Sequence, residues 1–262
     1  MNVLDNIILN KRKEVEERKS IFSLQTLLAS SFYDRECISV TNCLNDINAS
    51  GIIAEHKRKS PSKGIINDRL SVLEVVKSYQ DCGASAVSIL TDEIFFGGTN
   101  QDLVSAREIL SIPILRKEFI IDEYQIHEAK SLGADFILLI AACLRPEEVK
   151  RMARLANSIG LEVLLELHDE EELGHMCDEI QLVGINNRSL KTFEVNIDRS
   201  LRMAEQLPSD KIKVAESGID NSSQVLLFKE NGYRGFLIGE NFMKTEDPGK
   251  ALGLFMKEIN KK

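Results

Sequence analysis

Tryptophan is absent from the 262 residues, and aromatic side chains of every kind make up only 6%. A core must then be built mainly from aliphatic residues, the kind that fills barrel and parallel-sheet interiors. The five cysteines (Cys37, Cys43, Cys82, Cys143 and Cys177) are odd in number, scattered, and form no CxxC pair. That pattern speaks against a disulfide framework or a zinc site and predicts a reducing, cytoplasmic setting. No apolar run approaches the roughly 20 residues needed to cross a bilayer, so no membrane partner is expected. The N-terminus becomes heavily charged from Lys11 to Lys19 and does not read as a signal peptide. Net positive charge is lacking too: 33 Lys and Arg stand against 41 Asp and Glu, a balance of -8. Such a chain is a poor non-specific binder of nucleic acid, although a few local cations and backbone amides suffice for a small anion.

Several motifs are also missing. There is no P-loop, and no GxGxxG follows a strand. GxSxG is absent, and the four histidines (His56, His127, His168 and His175) show no metal-binding spacing. Neither a metal nor another cofactor is expected. His127 falls on an expected helix and reads as structural, and His168 as a side chain supporting the strand ends.

What is present is a rhythm. From Gly51 onward, short apolar runs alternate with longer amphipathic stretches. The runs are Gly51–Glu55, Ala86–Leu90, Pro113–Arg116, Phe136–Ile140, Glu162–Leu167, Leu182–Asn186, Lys213–Glu216 and Gly235–Ile238. Helical patterns lie between or after them at Val72–Asp81, Asp102–Leu110, Glu123–Ser131, Pro146–Ile159, Asp169–Met176, Ile197–Gln206, Ser222–Asn231 and Pro248–Ile259. Continuous apolar strands imply burial on both faces, and strand–helix alternation implies parallel crossovers. Eight such units predict an α/β fold, a closed (β/α)8 TIM barrel. Gly83, Gly133 and Gly232 each stand between a helix and a strand, as helix-ending residues do. Pro146 and Pro248 stand near helix starts.

The first residues differ. Val3, Leu4, Ile7, Ile8 and Val15 recur at helical spacing, with Lys11 to Lys19 expected as a solvated face. Ser23–Ser30 and Val40–Ile47 read as two more short helices, the latter capped by Thr41 or Asn42. The chain therefore reads as one barrel domain over 1–262, with an N-terminal helical extension over 1–47 and the barrel over 48–262.

Active sites of such barrels lie at the carboxyl ends of the strands, and those ends are rich in polar residues. The first offers Glu55, His56 and Lys57; the third, Arg116, Lys117 and Glu118; the fifth, Glu166 and His168. The sixth offers Asn186, Asn187 and Arg188, and the seventh Glu216. Ser217-Gly218 and Gly239-Glu240 follow strands seven and eight, the usual phosphate position. The chemistry that survives these exclusions is general acid–base work by Lys and Glu on a phosphorylated small molecule.

The segment Ile53-Ala54-Glu55-His56-Lys57-Arg58-Lys59-Ser60-Pro61-Ser62 resembles the ExKxxSPS signature of the indole-3-glycerol-phosphate synthase family. The resemblance continues through Ser88–Asp92 with Phe95–Gly98, Pro113–Ile120, Leu164–His168, Gly184–Leu190, Ala215–Ile219 and Leu237–Glu240. It covers the whole barrel, and the helical extension also looks like the family's, which implies that the extension covers the substrate side of the barrel. His56 departs from it, since that position usually holds an apolar residue or Tyr. Alternation along the strand predicts that His56 points away from the rim, into the strand–helix layer.

The resemblance implies a lyase of tryptophan biosynthesis. It would close, decarboxylate and dehydrate 1-(2-carboxyphenylamino)-1-deoxyribulose 5-phosphate. Lys117 would be the acid at ring closure and Glu166 the base at dehydration. Lys57 would bind the substrate carboxylate. Glu55, Asn186 and Glu216 would orient hydroxyls and lysines, with Arg188 pairing a carboxylate. Ser60 would touch the substrate, Phe96 and Phe119 would enclose the aromatic ring, and Ser217, Gly218, Gly239 and Glu240 would hold the phosphate. A sugar phosphate is the expected partner, and a monomer the expected state. Two rivals are other phosphate-binding barrels. A phosphoribosylanthranilate isomerase would want a Cys/Asp acid–base pair at the ends of the first and the fourth or fifth strands, whereas the first strand here ends in Glu55 and Lys57; the ExKxxSPS segment argues against a thiazole synthase. A catalytically silent barrel is the third rival, and it would have no need for all of these side chains.

Overall fold

The computed structural model describes residues 3–189 and 194–259; Leu190, at the end of one segment quoted above, lies outside them. Eight parallel strands close into a barrel: β1 (Ile52–His56), β2 (Ala86–Leu90), β3 (Ile114–Lys117), β4 (Phe136–Ile140), β5 (Glu162–Leu167), β6 (Leu182–Asn186), β7 (Ile212–Glu216) and β8 (Tyr233–Ile238). Each pairs with its sequence neighbours, and β1 closes the ring against β8 through Ile53 and Leu237. The expected α/β barrel is the fold observed, with strand bounds shifted by at most two residues.

The pleat sends alternate side chains to opposite faces, and both faces are dry. Inward go Ile53, Leu115, Leu138, Leu164, Leu182 and Val214; outward go Ile52, Val87, Ile137, Val163 and Val183. The outward set packs beneath the helices α4 (Val72–Asp81), α6 (Asn100–Ile109), α7 (Glu123–Leu132), α8 (Pro146–Ser158), α9 (Ile197–Glu205), α10 (Ser222–Glu230) and α12 (Pro248–Ile259). Fully burying one such aliphatic side chain stabilises by about 1.5–3 kcal/mol, which explains why near-continuous apolar runs are needed. The helices are delimited locally. Thr99, Asp122 and Asn221 form capping boxes at the starts of α6, α7 and α10. Gly133 ends α7 at φ 93°, where a Cβ would also strike the Arg107 side chain.

Three expectations need correction. Asp169–Met176 is not an α-helix; Glu170–His175 forms a 3-10 helix instead. The Glu172 carboxylate accepts from the His168 amide at 2.6 Å, tightening the turn directly after β5. The third helix of the extension, α3 (Val40–Asn45), is capped by Ser39 rather than Thr41 or Asn42. Glu162 at the start of β5 fixes that cap, accepting from Ser39 Oγ at 2.7 Å and from the Thr41 amide at 2.8 Å. Finally, Lys11 to Lys19 is not simply a solvated face. Within the first helix, α1 (Val3–Ile21), Lys11 is fully buried, Arg18 reaches Glu128 at 3.3 Å, and Lys19 reaches Asp122 at 2.7 Å.

The second helix of the extension, α2 (Leu24–Leu28), packs on α7, and Val40 and Leu44 of α3 join the barrel's interior cluster. Between these helices Tyr33 Oη meets His127 Nδ1 at 2.6 Å, so His127 helps seat the extension. Three further pieces border the strand ends. They are a hairpin of Lys59–Ser60 with Gly64–Ile65 and the short helices α5 (Glu93–Phe96) and α11 (Glu240–Met243). No helix among the described residues is long and apolar enough to cross a membrane.

Candidate active site

At the end of β3 the pleat separates two neighbouring cations. Arg116 points outward, donating to the Gln125 carbonyl at 2.9 Å and to Glu128 at 2.5 Å. Lys117 therefore points inward, where Nζ meets Glu216 Oε2 at 2.6 Å and Glu166 Oε2 at 3.2 Å. Glu166 also accepts from Asn186 Nδ2 at 3.0 Å, and His168 Nε2 lies 3.0 Å from its Oε1. The two side chains carry opposite charge, so the contact favours the ionised form of each. On β1, Glu55 points inward and pairs with Lys57 at 2.7 Å. His56 is buried on the opposite face, near Arg58 and Asp102, as alternation required.

The two glutamates around Lys117 differ in character. Burial raises the affinity of both for a proton. At Glu166 the Lys117 ammonium, His168 and Asn186 outweigh burial and hold the carboxyl below the usual range. At Glu216 burial prevails over Lys117, and the charge of Glu166 adds to it, raising the carboxyl to about 7. Glu216 Oε1 is buried with no hydrogen-bond partner. Burial works against the Lys117 ammonium as well, but Glu216, Glu166 and Glu55 overcome it and keep the lysine charged. For His168, burial is opposed by Glu166 and Glu172, and its pKa rises to about 9.

Two glycines make the cluster possible. A Cβ at Gly184 of β6 would fall 2.0 Å from Glu216 Oε1, and one at Gly239 would fall 2.5 Å from Glu55 Oε1. The space a side chain would occupy on β6 and after β8 is filled by those carboxylates. Gly239 thus makes room for Glu55.

These side chains line a cavity of about 390 Å³. Ser60 approaches from the hairpin, and Phe96 and Phe119 form one wall with ring centroids 5.9 Å apart. On the far side Ser217 and Gly218 both adopt left-handed backbone, at φ 64° and 66°. A non-glycine residue there is strained. Buried Asn187 holds it, donating Nδ2 to the Ser217 carbonyl at 2.7 Å. Gly239 and the start of α11 complete that side. The Glu240 carboxylate faces Lys63 at 3.5 Å and Arg188 at 3.7 Å. Any anion contact by Glu240 would therefore come from its amide rather than its charge.

All the expected site residues border this one cavity. Sequence reasoning missed Asn187 as a support and Lys63 as a third lysine at the mouth; the extension, which the resemblance places over the substrate side of the barrel, lines the cavity with Val3, Leu4 and Ile7 of α1. The apolar spacing of α1 was visible, but nothing local tells a packing stripe from a cavity wall. Among the described residues no group of three or more His, Cys, Asp or Glu side chains could hold a metal ion.

Fold and site together define a class: a (β/α)8 barrel with lysines and glutamates gathered over the carboxyl ends of its strands. The profile of the indole-3-glycerol phosphate synthase family matches residues 4–254. Named relatives include indole-3-glycerol phosphate synthases of Bacteroides thetaiotaomicron, 48% identical over 98% of this chain and 99% of that one. The Neisseria meningitidis serogroup B protein of the same name is 41% identical over 96% and 98%. Among solved structures, a chain of the Pyrococcus furiosus tryptophan synthase α2β2 complex is similar, with TM-score 0.59 and 18% identity. That match covers 79% of this chain and 96% of the other, and shows the fold alone. The chain belongs to the indole-3-glycerol phosphate synthase family.

Proposed function

We propose that this cavity closes, decarboxylates and dehydrates 1-(2-carboxyphenylamino)-1-deoxyribulose 5-phosphate, giving indole-3-glycerol phosphate in tryptophan biosynthesis. The single observation that carries the assignment of roles is the Lys117 ammonium held between Glu216 and Glu166. Ring closure forms a bond from the carboxylate-bearing aromatic carbon to the ketone carbon. The ketone oxygen must gain a proton as the bond forms, and Lys117 is the charged donor aimed into the cavity. Breaking the bond to the carboxylate releases CO2 and returns its electron pair to the ring. Lys57 holds that carboxylate until it leaves, with Arg188 as a further cation at the rim.

Dehydration then needs a proton for the departing hydroxyl and a base for the proton lost as the indole forms. Glu166, kept ionised by its surroundings, stabilises positive charge on the anilino nitrogen and takes up that proton. Glu216, which binds a proton near neutrality, shares it with Lys117. Two protons are delivered and one recovered, so one net proton is consumed as the carboxylate charge leaves as CO2. Glu55 and Asn186 orient the lysines and the sugar hydroxyls. Ser60 contacts the substrate, Phe96 and Phe119 form the apolar wall for its ring, and the backbone at Ser217, Gly218, Gly239 and Glu240 receives the phosphate. The free, scattered cysteines support a cytoplasmic setting.

Turnover of the carboxyphenylamino-deoxyribulose phosphate, followed by indole fluorescence, tests this reading. Lys117→Met is expected to cut kcat by roughly 10²–10⁴-fold, the scale of a general acid, while leaving inorganic phosphate bound. A Lys117→Met protein as fast as wild type would remove Lys117 from the chemistry.

A further inference from the structure

Lys11 of α1 has no solvent exposure, yet it carries a charge. Its Nζ lies 2.7 Å from Glu14, 3.0 Å from Asp92 and 2.9 Å from Glu118. Glu14 belongs to the same helix, but the other two belong to the barrel, and each fixes a different loop at the strand ends. Asp92 caps α5, accepting from the Phe95 amide at 2.7 Å, and the next residue of that helix is Phe96. Glu118 accepts from the Phe119 amide at 2.8 Å and from Thr91 Oγ1 at 2.9 Å. The two carboxylates that Lys11 joins are thus the local anchors of Phe96 and Phe119, whose rings pack together on one wall of the cavity. One helical turn earlier, Ile7 lines the same cavity.

We propose that Lys11 is a positioning residue for the ring-binding wall: it ties the N-terminal helix to Asp92 and Glu118 and so sets the separation of Phe96 and Phe119. This rests on the reading above that those two phenylalanines receive the aromatic end of the substrate. Removing the ammonium removes the link that holds the two anchored loops to α1 and to each other; in the single variant the two carboxylates left buried beside each other add their repulsion. The acid–base groups on β3, β5 and β7 keep their own contacts, so the damage falls on binding of the ring rather than on the protonation states of the cluster.

The test uses the whole chain. Lys11→Met deletes the tether. Lys11→Met with Asp92→Asn and Glu118→Gln deletes it without stranding buried charge, and keeps the cap and amide hydrogen bonds. Both are measured for turnover, for binding of anthranilate as a probe of the ring end, and for binding of inorganic phosphate as a probe of the other end. We expect KM and the anthranilate dissociation constant to rise about tenfold in both variants, with the phosphate constant within about twofold and the pH profile of kcat unmoved. A merely destabilising role would lower the folded fraction, and hence kcat alone. Unchanged KM and anthranilate affinity in the folded triple variant would overturn the proposal. So would a phosphate affinity that falls by the same factor, which would make α1 a general cover. If wild-type protein fails to turn over, the assigned reaction fails; the contrast between the two binding probes still decides the role of Lys11.

Discussion

Lys117 is flanked by two carboxylates that share it unequally, because Asn186 and His168 attend Glu166 and nothing equivalent attends Glu216. The inequality has a sign that stability can read. A glutamate whose carboxyl rises to about 7 on folding binds a proton that the unfolded chain has already released. Between the ordinary glutamate range and about 7 the folded state therefore holds the extra proton, and stability falls as pH rises through that window. Glu216→Gln removes the proton exchange. The stability difference, wild type minus variant, should decline from about pH 5 to pH 7 by up to about 1.4 kcal/mol per unit. Urea midpoints across that range measure it, and a flat difference would mean that Glu216 titrates as an ordinary surface carboxylate. Sequence made both glutamates visible as strand-end residues. It could not rank them, since Asn186 reaches Glu166 from a neighbouring strand and His168 meets it only through the way the chain leaves β5.

At the scale of elements, β6 and the β8–α11 junction are shaped around side chains they do not own. Gly184→Ala would place a methyl 2.0 Å from Glu216 Oε1, so the carboxylate must leave its pocket beside Lys117. The expected cost is about 1–3 kcal/mol of stability from overpacking, with a roughly tenfold to hundredfold fall in kcat from the displaced group. Gly174→Ala is the control: nothing lies within 4 Å of the Cβ it would add, and its effect should stay within about 0.5 kcal/mol. Equal losses from the two substitutions would argue that Gly184 matters for backbone freedom rather than for room. Elements with a long periodic pattern, such as α8 and α10, were legible from sequence with only small end shifts. The stretch after β5 was not. Its residues suit a helix, but the Glu172 carboxylate captures the His168 amide and the turn tightens to 3-10.

The whole molecule joins its extension to its barrel through buried charge. Asp135 has no exposure and accepts from Arg35 at 2.8 Å and the Ile38 amide at 2.8 Å on the extension side. On the barrel side it accepts from Arg107 at 2.7 Å and the Ile114 amide at 2.8 Å. With Lys11 at one end and Asp135 at the other, we propose that residues 3–47 and the barrel unfold as one cooperative unit. Asp135→Ala should cost about 3–5 kcal/mol, because two guanidinium groups lose their buried partner. Unfolding followed by circular dichroism and by fluorescence of a dye placed on the extension should coincide in wild type. An extension that melts first would divide the chain into two units.

Local patterns in the sequence suffice for the eight-strand rhythm, the helix-ending glycines Gly83, Gly133 and Gly232, the inward set of strand-end residues and the ExKxxSPS segment. These are patterns of neighbours, and the period of a strand or helix turns them directly into faces. Tertiary structure decided whatever depends on residues far apart meeting without water between them. Lys117 and Glu216 stand 99 positions apart, and only barrel closure makes them a pair. Lys11 looked like one charge among many on a helix face. Its burial follows from Asp92 and Glu118 converging on it, and a charge leaves water only where partners of opposite sign are already in place.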